Sequence, residues 1–413
     1  MITLEGNVKQ VIVGSGPAAL SAALTLRRLA PRDSITLISQ EKQPFYSRVL
    51  ISYLVAGRLP YDKLMLPGVD QLQGDGFRLL AGTRAESLDV RNRAVALSDG
   101  TEVSYDRLLL ATGGSPALPP IAGVTLPGVF TLWTLEDALR LKHWAQQGQR
   151  AVVVGAGLVG LKAAEALLTR GLSVTVLELT DRVLPQLLDD PEATMVQDAL
   201  EQNGLAVRTN SAVASIRRDA KATNLELANG TLVNCDLVVI ATGIRANLDL
   251  ARSAGAATAR GILVDNLLQT SLPHVYSAGD VAEGWDLARS SPWSNPTWGN
   301  AVEQGRIAAS NMAGCRKRYF GAVALTTFTF LGLSVAAVGI SRQEAGIYRV
   351  ESHKDPRTGH YTKLLMLGDR LVGAVAIGDI TMAGVWRGII ARAYPQKMWI
   401  NSPFLWINRP PCG

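Results

Sequence analysis

Short apolar runs, each followed by a glycine-rich turn and a stretch with helical periodicity, recur along the chain. The pattern is clearest over Val11–Ala30 and again over Val152–Arg170, where runs of valine and isoleucine precede the glycines. A second apolar strand follows each segment, at Ser34–Ser39 and at Ser173–Glu178. Strands that alternate with helices predict an α/β fold with parallel sheets. The two segments therefore predict an internal repeat.

The remaining pattern adds elements to both halves and predicts a different third part. Strands are predicted near 78–83, 93–97, 108–111, 206, 222 and 237–240, and helices over 135–147, 192–203 and 297–311. The uncharged run Ala322–Ile340 is long enough to suggest a membrane span. However, Thr327–Phe330 alternates with period two and Gly332 interrupts the run, so we predict sheet strands there. The last ninety or so residues predict a small antiparallel domain with a helical, tryptophan-containing tail.

Composition narrows the class of protein. The chain has 413 residues, of which 47% are hydrophobic and 18% charged, typical of a globular protein with two or three domains. The net charge is +6, but the basic residues are scattered apart from Arg316-Lys317-Arg318. We therefore expect an acidic protein partner and no nucleic acid. The first strand begins almost at the N-terminus, so we expect no signal peptide and a cytoplasmic protein.

Cysteine and histidine usage argues against metal and thiol chemistry. No C-x-x-C motif occurs, which favours a reducing compartment and argues against an iron–sulfur cluster or redox disulfide in this chain. None of the histidines has metal-ligand spacing, so we expect no metal site; His353 and His360 flank a predicted hairpin turn. The residues concerned are Cys235, Cys315, Cys412, His143, His274, His353 and His360.

The two glycine turns carry the first functional signal. In each, the first glycine permits a tight turn, the second lets backbone approach a pyrophosphate, and a small third residue, Ala19 or Gly160, allows close helix packing. Two such turns predict two dinucleotide sites and an enzyme that moves electrons between two nucleotides. The predicted binding residues are Gly14, Gly16, Pro17 and Ala18 in the first turn, and Gly155, Gly157, Leu158 and Val159 in the second.

Glu178 ends the strand after the second turn. A carboxylate there binds the adenosine ribose hydroxyls and repels a 2′-phosphate, which predicts NAD rather than NADP. The alternative is a solvated glutamate at the end of a strand. In the first half Gln40 occupies the matching position, so the ribose contact comes from its amide or shifts to Glu41.

The order of five motifs, GSGPAA, ATGG, GAGLVG, ATGIRAN and TSLPHVYSAGD, resembles the two-dinucleotide-fold flavoproteins of the pyridine nucleotide–disulfide oxidoreductase superfamily. The resemblance covers Val11–Ala313. It implies two Rossmann-like domains and a small α+β C-terminal interface domain. Expected boundaries are 1–118 with 245–320 for FAD, 119–244 for NAD(H), and 321–413 for the interface domain with its apolar tail.

The resemblance also implies roles for single residues. Asp280 is expected to bind the ribityl chain of FAD, Thr112 and Gly113 to mark the point where the chain leaves the FAD domain, and Gly243 to line the nicotinamide cleft. The helix that begins at Thr297 and Trp298 is expected to point at the flavin pyrimidine edge, although Trp298 could equally be a core residue. Ala111 and Gly279 complete the expected FAD residues.

The stretch Tyr46–Tyr53 separates subfamilies. Disulfide reductases and peroxidases of the superfamily carry cysteine there, whereas this chain has none before Cys235. The stretch is similar to the Y-x-R-x-x-L-S segment of rubredoxin and ferredoxin reductases and of the flavin domain of NADH-nitrite reductases. That similarity implies that Arg48 lies over the FAD pyrophosphate, a surface arginine being the alternative.

Two positions depart from those relatives, which often pair a lysine after the serine with a glutamate two residues past the third glycine. This chain has Tyr53 and Lys162 instead. We expect both beside the flavin as candidate catalytic residues, where the cation would stabilise the charge of reduced flavin. A solvated first-turn lysine is the alternative.

Together these features predict an FAD-dependent NAD(H) oxidoreductase that exchanges electrons with an iron–sulfur protein or subunit. We expect the flavoprotein subunit of a larger aldehyde or oxo-acid oxidoreductase, in a hetero-oligomer or homodimer. Alternatives are a stand-alone rubredoxin or ferredoxin reductase, an NADH oxidase or peroxidase, and a non-enzymatic FAD-binding subunit. The apolar tail from Tyr394, with Trp399, Phe404 and Trp406, either packs on its own domain or docks a partner.

Overall fold

A computed structural model of the chain describes residues 7–72, 74, 76–219, 223–343 and 346–394. Trp399, Phe404, Trp406 and Cys412 lie outside these residues, so the expectation for the tail remains a prediction. The chain divides into two compact units. Unit 1 comprises residues 1–47, 64–115 and 245–324, and unit 2 comprises residues 48–63, 116–244 and 325–413.

The described chain contains eight α-helices and twenty-six strands. The helices are α1 (Pro17–Leu29), α2 (Ile51–Val55), α3 (Leu135–Trp144), α4 (Leu158–Thr169), α5 (Asp190–Gln202), α6 (Asp249–Ser253), α7 (Trp298–Met312) and α8 (Ala383–Arg392). The strands are β1 (Lys9–Val13), β2 (Ser34–Ser39), β3 (Phe77–Ala81), β4 (Ala85–Asp89), β5 (Ala94–Leu97), β6 (Glu102–Ser104), β7 (Arg107–Leu110), β8 (Gly114–Pro116), β9 (Val129–Phe130), β10 (Arg150–Val154), β11 (Ser173–Leu177), β12 (Ala206–Arg208), β13 (Val213–Arg218), β14 (Thr223–Leu227), β15 (Leu232–Cys235), β16 (Leu237–Ile240), β17 (Ile244–Ala246), β18 (Ile262–Leu263), β19 (Val275–Ser277), β20 (Ala282–Asp286), β21 (Ser291–Trp293), β22 (Leu325–Phe330), β23 (Leu333–Gly339), β24 (Arg349–Lys354), β25 (Tyr361–Leu367) and β26 (Arg370–Ile377).

Unit 1 is built on a parallel sheet with the order β19-β7-β1-β2-β3. Its central strand β1 is buried from its second residue onward, because neighbours cover both faces. Helices α1 and α7 pack closely together, since a Cβ at Gly305 would overlap the backbone of Ala18. The antiparallel strands β4-β5-β6 and the small sheet β18-β20-β21 complete the unit.

Unit 2 contains a second parallel sheet, with the order β9-β16-β10-β11-β12. Between β12 and β16 the chain forms an antiparallel three-stranded sheet, β13-β14-β15. A five-stranded antiparallel sheet, β22-β23-β26-β25-β24, follows, and α8 packs on β23 and β26. The predicted α/β class is therefore confirmed. The run Ala322–Ile340 forms β22 and β23, and no helix within the described ranges is long and apolar enough to cross a membrane.

The helix predicted over 135–147 ends earlier, at Trp144. Ala145 is extended, the side chain of Gln149 accepts a hydrogen bond from Gln146 N, and Gly148 has a φ of +81°. The Gln149 side chain therefore binds a backbone N–H that another helical turn would use, and the left-handed conformation of Gly148 turns the backbone away from the helix.

Candidate cofactor sites

The first glycine turn closes tightly on one side and is open on the other. Gly14 has a φ of +126°, its N–H donates to Ile38 O at 2.8 Å, and a Cβ there would overlap the carbonyl of Ala111. A Cβ on Gly16 would meet no atom of the described chain within 4 Å. Helix α1 begins directly afterwards with Pro17 and Ala18 in its first turn. Free backbone N–H groups at that helix end suit a pyrophosphate.

The second turn has the same construction. Gly155 has a φ of +105°, its N–H donates to Leu177 O at 2.7 Å, and a Cβ there would overlap Ala241 O. Gly157 is open, as Gly16 is, while a Cβ at Gly160 would overlap Gly155 O. Leu158 and Val159 begin α4. Both turns therefore fit a dinucleotide at their first two glycines, and the second turn also at its third.

The strand register shows which residue follows each second strand. Val13 pairs with Ile38, and Val154 pairs with Leu177. The residue after Ile38 is Ser39, so Ser39 rather than Gln40 is equivalent to Glu178. The prediction that Gln40 occupies the matching position is therefore corrected, because glycine spacing alone does not set the length of the second strand.

Glu178 is buried and holds the second turn together. Its Oε2 accepts a hydrogen bond from Ala156 N at 2.7 Å, and its Oε1 accepts from the N–H and hydroxyl of Thr180, both at 2.9 Å. A carboxylate offers about four acceptor sites, so these contacts leave capacity for ribose hydroxyls. In the first turn a hydroxyl pair takes the equivalent place, as Ser39 Oγ donates to Ser15 Oγ at 2.8 Å.

The two residues after Ser39 differ in their environment. Gln40 is exposed, whereas Glu41 is half-buried and its Oε2 accepts a hydrogen bond from the Tyr46 hydroxyl at 2.5 Å. A hydrogen-bonded carboxylate has a fixed direction, which an exposed amide lacks. Of the two ribose-binding alternatives, the geometry therefore favours Glu41.

Thr112 and Gly113 bind a residue that the sequence analysis did not single out. Asn247 donates from its side chain to Thr112 O at 2.8 Å and from its backbone to Gly113 O at 2.9 Å, and its own carbonyl accepts from Thr112 Oγ1 at 3.1 Å. These bonds join the segment that leaves unit 1 to the segment that returns to it. Asn247 is the last letter of the ATGIRAN motif, which was the available signal.

Gly279 ties the turn before Asp280 to both long helices of unit 1. Its N–H donates to the buried side chain of Gln304 on α7 at 2.8 Å, and a Cβ there would lie 3.0 Å from Ala18 Cβ on α1. Thr297 occupies the N-cap position of α7 without a side-chain capping hydrogen bond, and Trp298, the first residue of the helix, is 38% exposed. The exposure argues against the alternative that Trp298 is a core residue.

Arg48 and Gly243 belong to unit 2. Arg48 Nη1 donates to Trp133 O at 2.7 Å, and its guanidinium carbon lies 5.2 Å from the centre of that indole. Gly243 has a φ of +114°, and its carbonyl accepts from Ala117 N at 2.9 Å. Their predicted contacts with FAD and nicotinamide remain predictions.

Lys162 and Tyr53, the two residues that differ from the family pattern, lie close together. Lys162 Nζ lies 5.6 Å from the Tyr53 ring centre and 4.9 Å from that of Phe330. It donates to Glu165 Oε2 at 2.8 Å and to Thr329 O. The side chain is about one-fifth exposed, so it is not the solvated lysine of the alternative interpretation. Glu165 is a partner that the sequence analysis missed, although an i,i+3 pair on a helix is a readable signal.

The cysteines lie in contrasting environments. Cys235 is fully buried in an apolar cluster, where burial raises the pKa of its thiol to about 12. Cys315 is exposed. Among the described residues, no group of three histidine, cysteine, aspartate or glutamate side chains could hold a metal ion.

Comparison with protein-family models identifies the family of this chain. Residues 8–305 match the pyridine nucleotide-disulphide oxidoreductase model. The chain belongs to this family. Residues 325–392 match the rubredoxin NAD⁺ reductase C-terminal domain. FAD and NAD(H) are therefore its cofactors, and it is an NAD(H)-dependent flavin oxidoreductase.

Individual relatives cover most of the chain. It is 33% identical over 389 residues to the NADH-dependent phenylglyoxylate dehydrogenase subunit epsilon of Aromatoleum evansii, covering 94% of this chain and 92% of that protein. It is 31% identical to the assimilatory nitrate reductase electron transfer subunit of Bacillus subtilis (strain 168), covering 89% of this chain. It spans only 47% of that relative.

A solved structure agrees with the fold. The covalent putidaredoxin reductase–putidaredoxin complex contains a chain that matches with a TM-score of 0.87 and 27% identity, covering 95% of this chain and 94% of that one.

Proposed function

We propose that the chain passes electrons between NAD(H) and an iron–sulfur partner protein, as the FAD-containing subunit of a larger aldehyde or oxo-acid oxidoreductase. The observation that carries the proposal is the pair of glycine turns with matching geometry, since one chain then holds both nucleotides. The near full-length similarity to a subunit of an NADH-dependent phenylglyoxylate dehydrogenase supports the subunit role. We place the assembly in the cytoplasm, as a hetero-oligomer or a homodimer.

We assign the FAD site to unit 1. FAD, when bound, takes up two electrons together and releases them singly. Gly14 and Gly16 admit the pyrophosphate, Glu41 binds the ribose, and Asp280 binds the ribityl chain. The full proposed set within unit 1 is Gly14, Gly16, Pro17, Ala18, Gln40 or Glu41, Ala111, Thr112, Gly113, Gly279, Asp280, Thr297 and Trp298; the FAD contact expected of Arg48 stays a prediction from the sequence.

We assign the NAD(H) site to the second turn. Gly155, Gly157, Leu158 and Val159 receive the pyrophosphate at the start of α4, where the helix dipole favours an anion. Glu178 receives the ribose hydroxyls while it anchors Ala156 N, and Gly243 lines the nicotinamide side. The buried carboxylate would repel a 2′-phosphate, so the site selects NADH.

No thiol takes part in the proposed reaction. The first cysteine in the chain is Cys235, which is buried with a raised thiol pKa and is therefore unreactive near neutral pH. Electrons therefore leave for the partner without a disulfide step. This argues against peroxidase and disulfide reductase activity.

Anaerobic titration with NADH tests the proposal. We expect one equivalent of NADH to bleach the flavin absorbance, and a purified iron–sulfur partner to restore it. If NADH leaves the absorbance unchanged, the chain is a structural FAD subunit. If oxygen alone restores the colour as fast as the partner does, it is an NADH oxidase.

A stand-alone NADH:rubredoxin reductase is the second candidate. The match of residues 325–392 to the rubredoxin NAD⁺ reductase C-terminal domain favours it. Efficient turnover with purified rubredoxin, in the absence of any other subunit, would select this function over the subunit role.

A further inference from the structure

A run of three basic residues at the end of α7 has no role in either cofactor site. Arg316, Lys317 and Arg318 are all exposed, and within the described chain none of their side chains forms an ion pair. The run follows Gly314, whose φ of +81° ends the helix. A cluster of exposed like charges attracts a surface of opposite charge.

The backbone of this run is held in one conformation. The side chain of Asn311 binds Lys317 twice, because Lys317 N donates to its Oδ1 at 2.8 Å and its Nδ2 donates to Lys317 O at 2.9 Å. Tyr319 is buried. Its N–H donates to Asn266 O at 2.7 Å, and its hydroxyl donates to Asn300 Oδ1 at 2.7 Å. A fixed segment loses little conformational entropy when it binds.

Two exposed aromatic side chains lie beside the basic run. Phe320 is 77% exposed and Trp285 is 46% exposed. Their segments are joined by a hydrogen bond from Ala322 N to Trp285 O at 3.0 Å, and a Cβ on Gly321 would lie 3.0 Å from the Trp285 ring. Large aromatic side chains next to cations are the residue types that anchor protein interfaces.

Two acidic side chains close to Tyr319, those of Asp286 and Glu303, are engaged with other residues. Asp286 is buried and accepts hydrogen bonds from Asn295 and from the backbone of Arg289. Glu303 pairs with Arg306 on the same helix. Neither carboxylate forms an ion pair with the basic run.

We propose that Arg316, Lys317, Arg318, Phe320 and Trp285 form a docking surface for an acidic protein subunit. We name these five residues the basic–aromatic surface. The surface attaches the partner to unit 1. The inference rests on the proposed subunit function.

A protein fits this surface better than a nucleic acid does. Proteins that bind nucleic acid contact the phosphate backbone with extended stripes of basic side chains. Here, by contrast, only three basic side chains lie beside an apolar aromatic pair. Two other arginines of unit 1, Arg260 and Arg289, stack on Trp293 with guanidinium carbons 3.8 and 4.1 Å from the ring centre.

Photo-crosslinking in the native host tests the surface. The full-length, tagged chain carries p-benzoylphenylalanine in place of Phe320. We expect one cross-linked polypeptide of acidic isoelectric point, identical to a protein that co-purifies in fixed stoichiometry with the unsubstituted chain. Absence of such a stoichiometric acidic partner would overturn the proposal.

Charge reversal supplies the quantitative test with that purified partner. R316E/K317E/R318E is expected to weaken binding about tenfold or more, and rising salt is expected to weaken wild-type binding. The control R28E/R32E/R84E makes the same charge change at exposed arginines of unit 1 and should bind as the wild type does. Binding of the partner by R316E/K317E/R318E as tight as that of the wild type would contradict a protein-docking role. The same role would be contradicted if the wild-type chain bound RNA or phosphatidylglycerol vesicles and this variant did not.

The same samples separate this inference from the proposed function. FAD content and NADH reduction of a small dye are measured in every variant, and neither should change. A wild-type chain that binds the partner but fails to react with NADH would refute the oxidoreductase function and leave the docking surface standing.

Discussion

Lys162 and Glu165 form an ion pair within α4, with 2.8 Å between the ammonium nitrogen and a carboxylate oxygen. Glu165 also lies 3.6 Å from Arg58, and Lys162 reaches the backbone of Thr329 in β22. The pair thus joins three parts of unit 2. Its carboxylate limits how much positive charge Lys162 can present to a cofactor.

Changing the two charges separately tests their effect on the flavin. If position 162 faces the flavin as in the relatives, Lys162→Met should shift its reduction potential to a more negative value, because a stabilising cation is removed. A shift of roughly 30 mV corresponds to about 1.4 kcal/mol for a two-electron couple. Glu165→Gln should shift the potential in the opposite direction. Spectroelectrochemical titration measures both.

Lys354→Met is the matched control, since it removes an exposed lysine from β24 in the same unit. Its potential should equal that of the wild type. Unchanged potentials in all three variants would show that Lys162 serves only to join α4 to β22. In that case a lower thermal midpoint for Lys162→Met would be the remaining effect.

Glu178→Gln tests cofactor choice without removing the hydrogen bond to the turn. Glutamine keeps an acceptor for Ala156 N but loses the charge that repels a 2′-phosphate. We expect the wild type to prefer NADH by about 100-fold or more in kcat/KM, and the variant to lose roughly tenfold of that preference, 1.4 kcal/mol per tenfold. Steady-state rates with both nucleotides measure this ratio. Comparable efficiency of the wild type with NADPH would contradict the role of Glu178.

The buried cluster around Lys363 should contribute to the stability of unit 2. Lys363 Nζ lies 2.6 Å from Asp189 Oδ2 and 2.9 Å from Glu192 Oε1, and the Tyr361 hydroxyl donates to the same oxygen of Glu192 at 3.0 Å. Lys363→Met leaves a fully buried carboxylate without its cation, which should cost about 3–5 kcal/mol. The combined variant K363M/D189N/E192Q should recover most of this loss. Urea denaturation measures both, and equal losses would show that packing rather than charge is responsible.

The parts of the site that the sequence predicted are those set by local geometry. Gly14 and Gly155 adopt positive φ because a strand turns into a helix there, and that requirement is visible in the residue itself. Ser39, Asn247 and Gln304 were missed, since each acts through a partner distant in the chain. Strands β4 and β6 were also missed, because they are mostly exposed and lack an apolar run. The tail from Pro395 onward lies outside the described residues, so its docking role stays a prediction.

Alkaline pH should destabilise the fold partly through Cys235. Burial raises the pKa of its thiol from the ordinary 9.0 to about 12. Above pH 9 the unfolded chain therefore loses a proton that the folded chain keeps, and stability falls until the pH passes about 12. One such group contributes up to about 1.4 kcal/mol per pH unit. Urea denaturation at pH 8 and pH 10.5 should show a smaller loss of unfolding free energy for Cys235→Ala than for the wild type.

The control variant Cys315→Ala removes an exposed thiol and should keep the wild-type pH dependence of stability. An unchanged pH dependence in Cys235→Ala would mean that other buried groups, such as the Tyr319 phenol with its pKa raised to about 12 by burial, account for the alkaline loss.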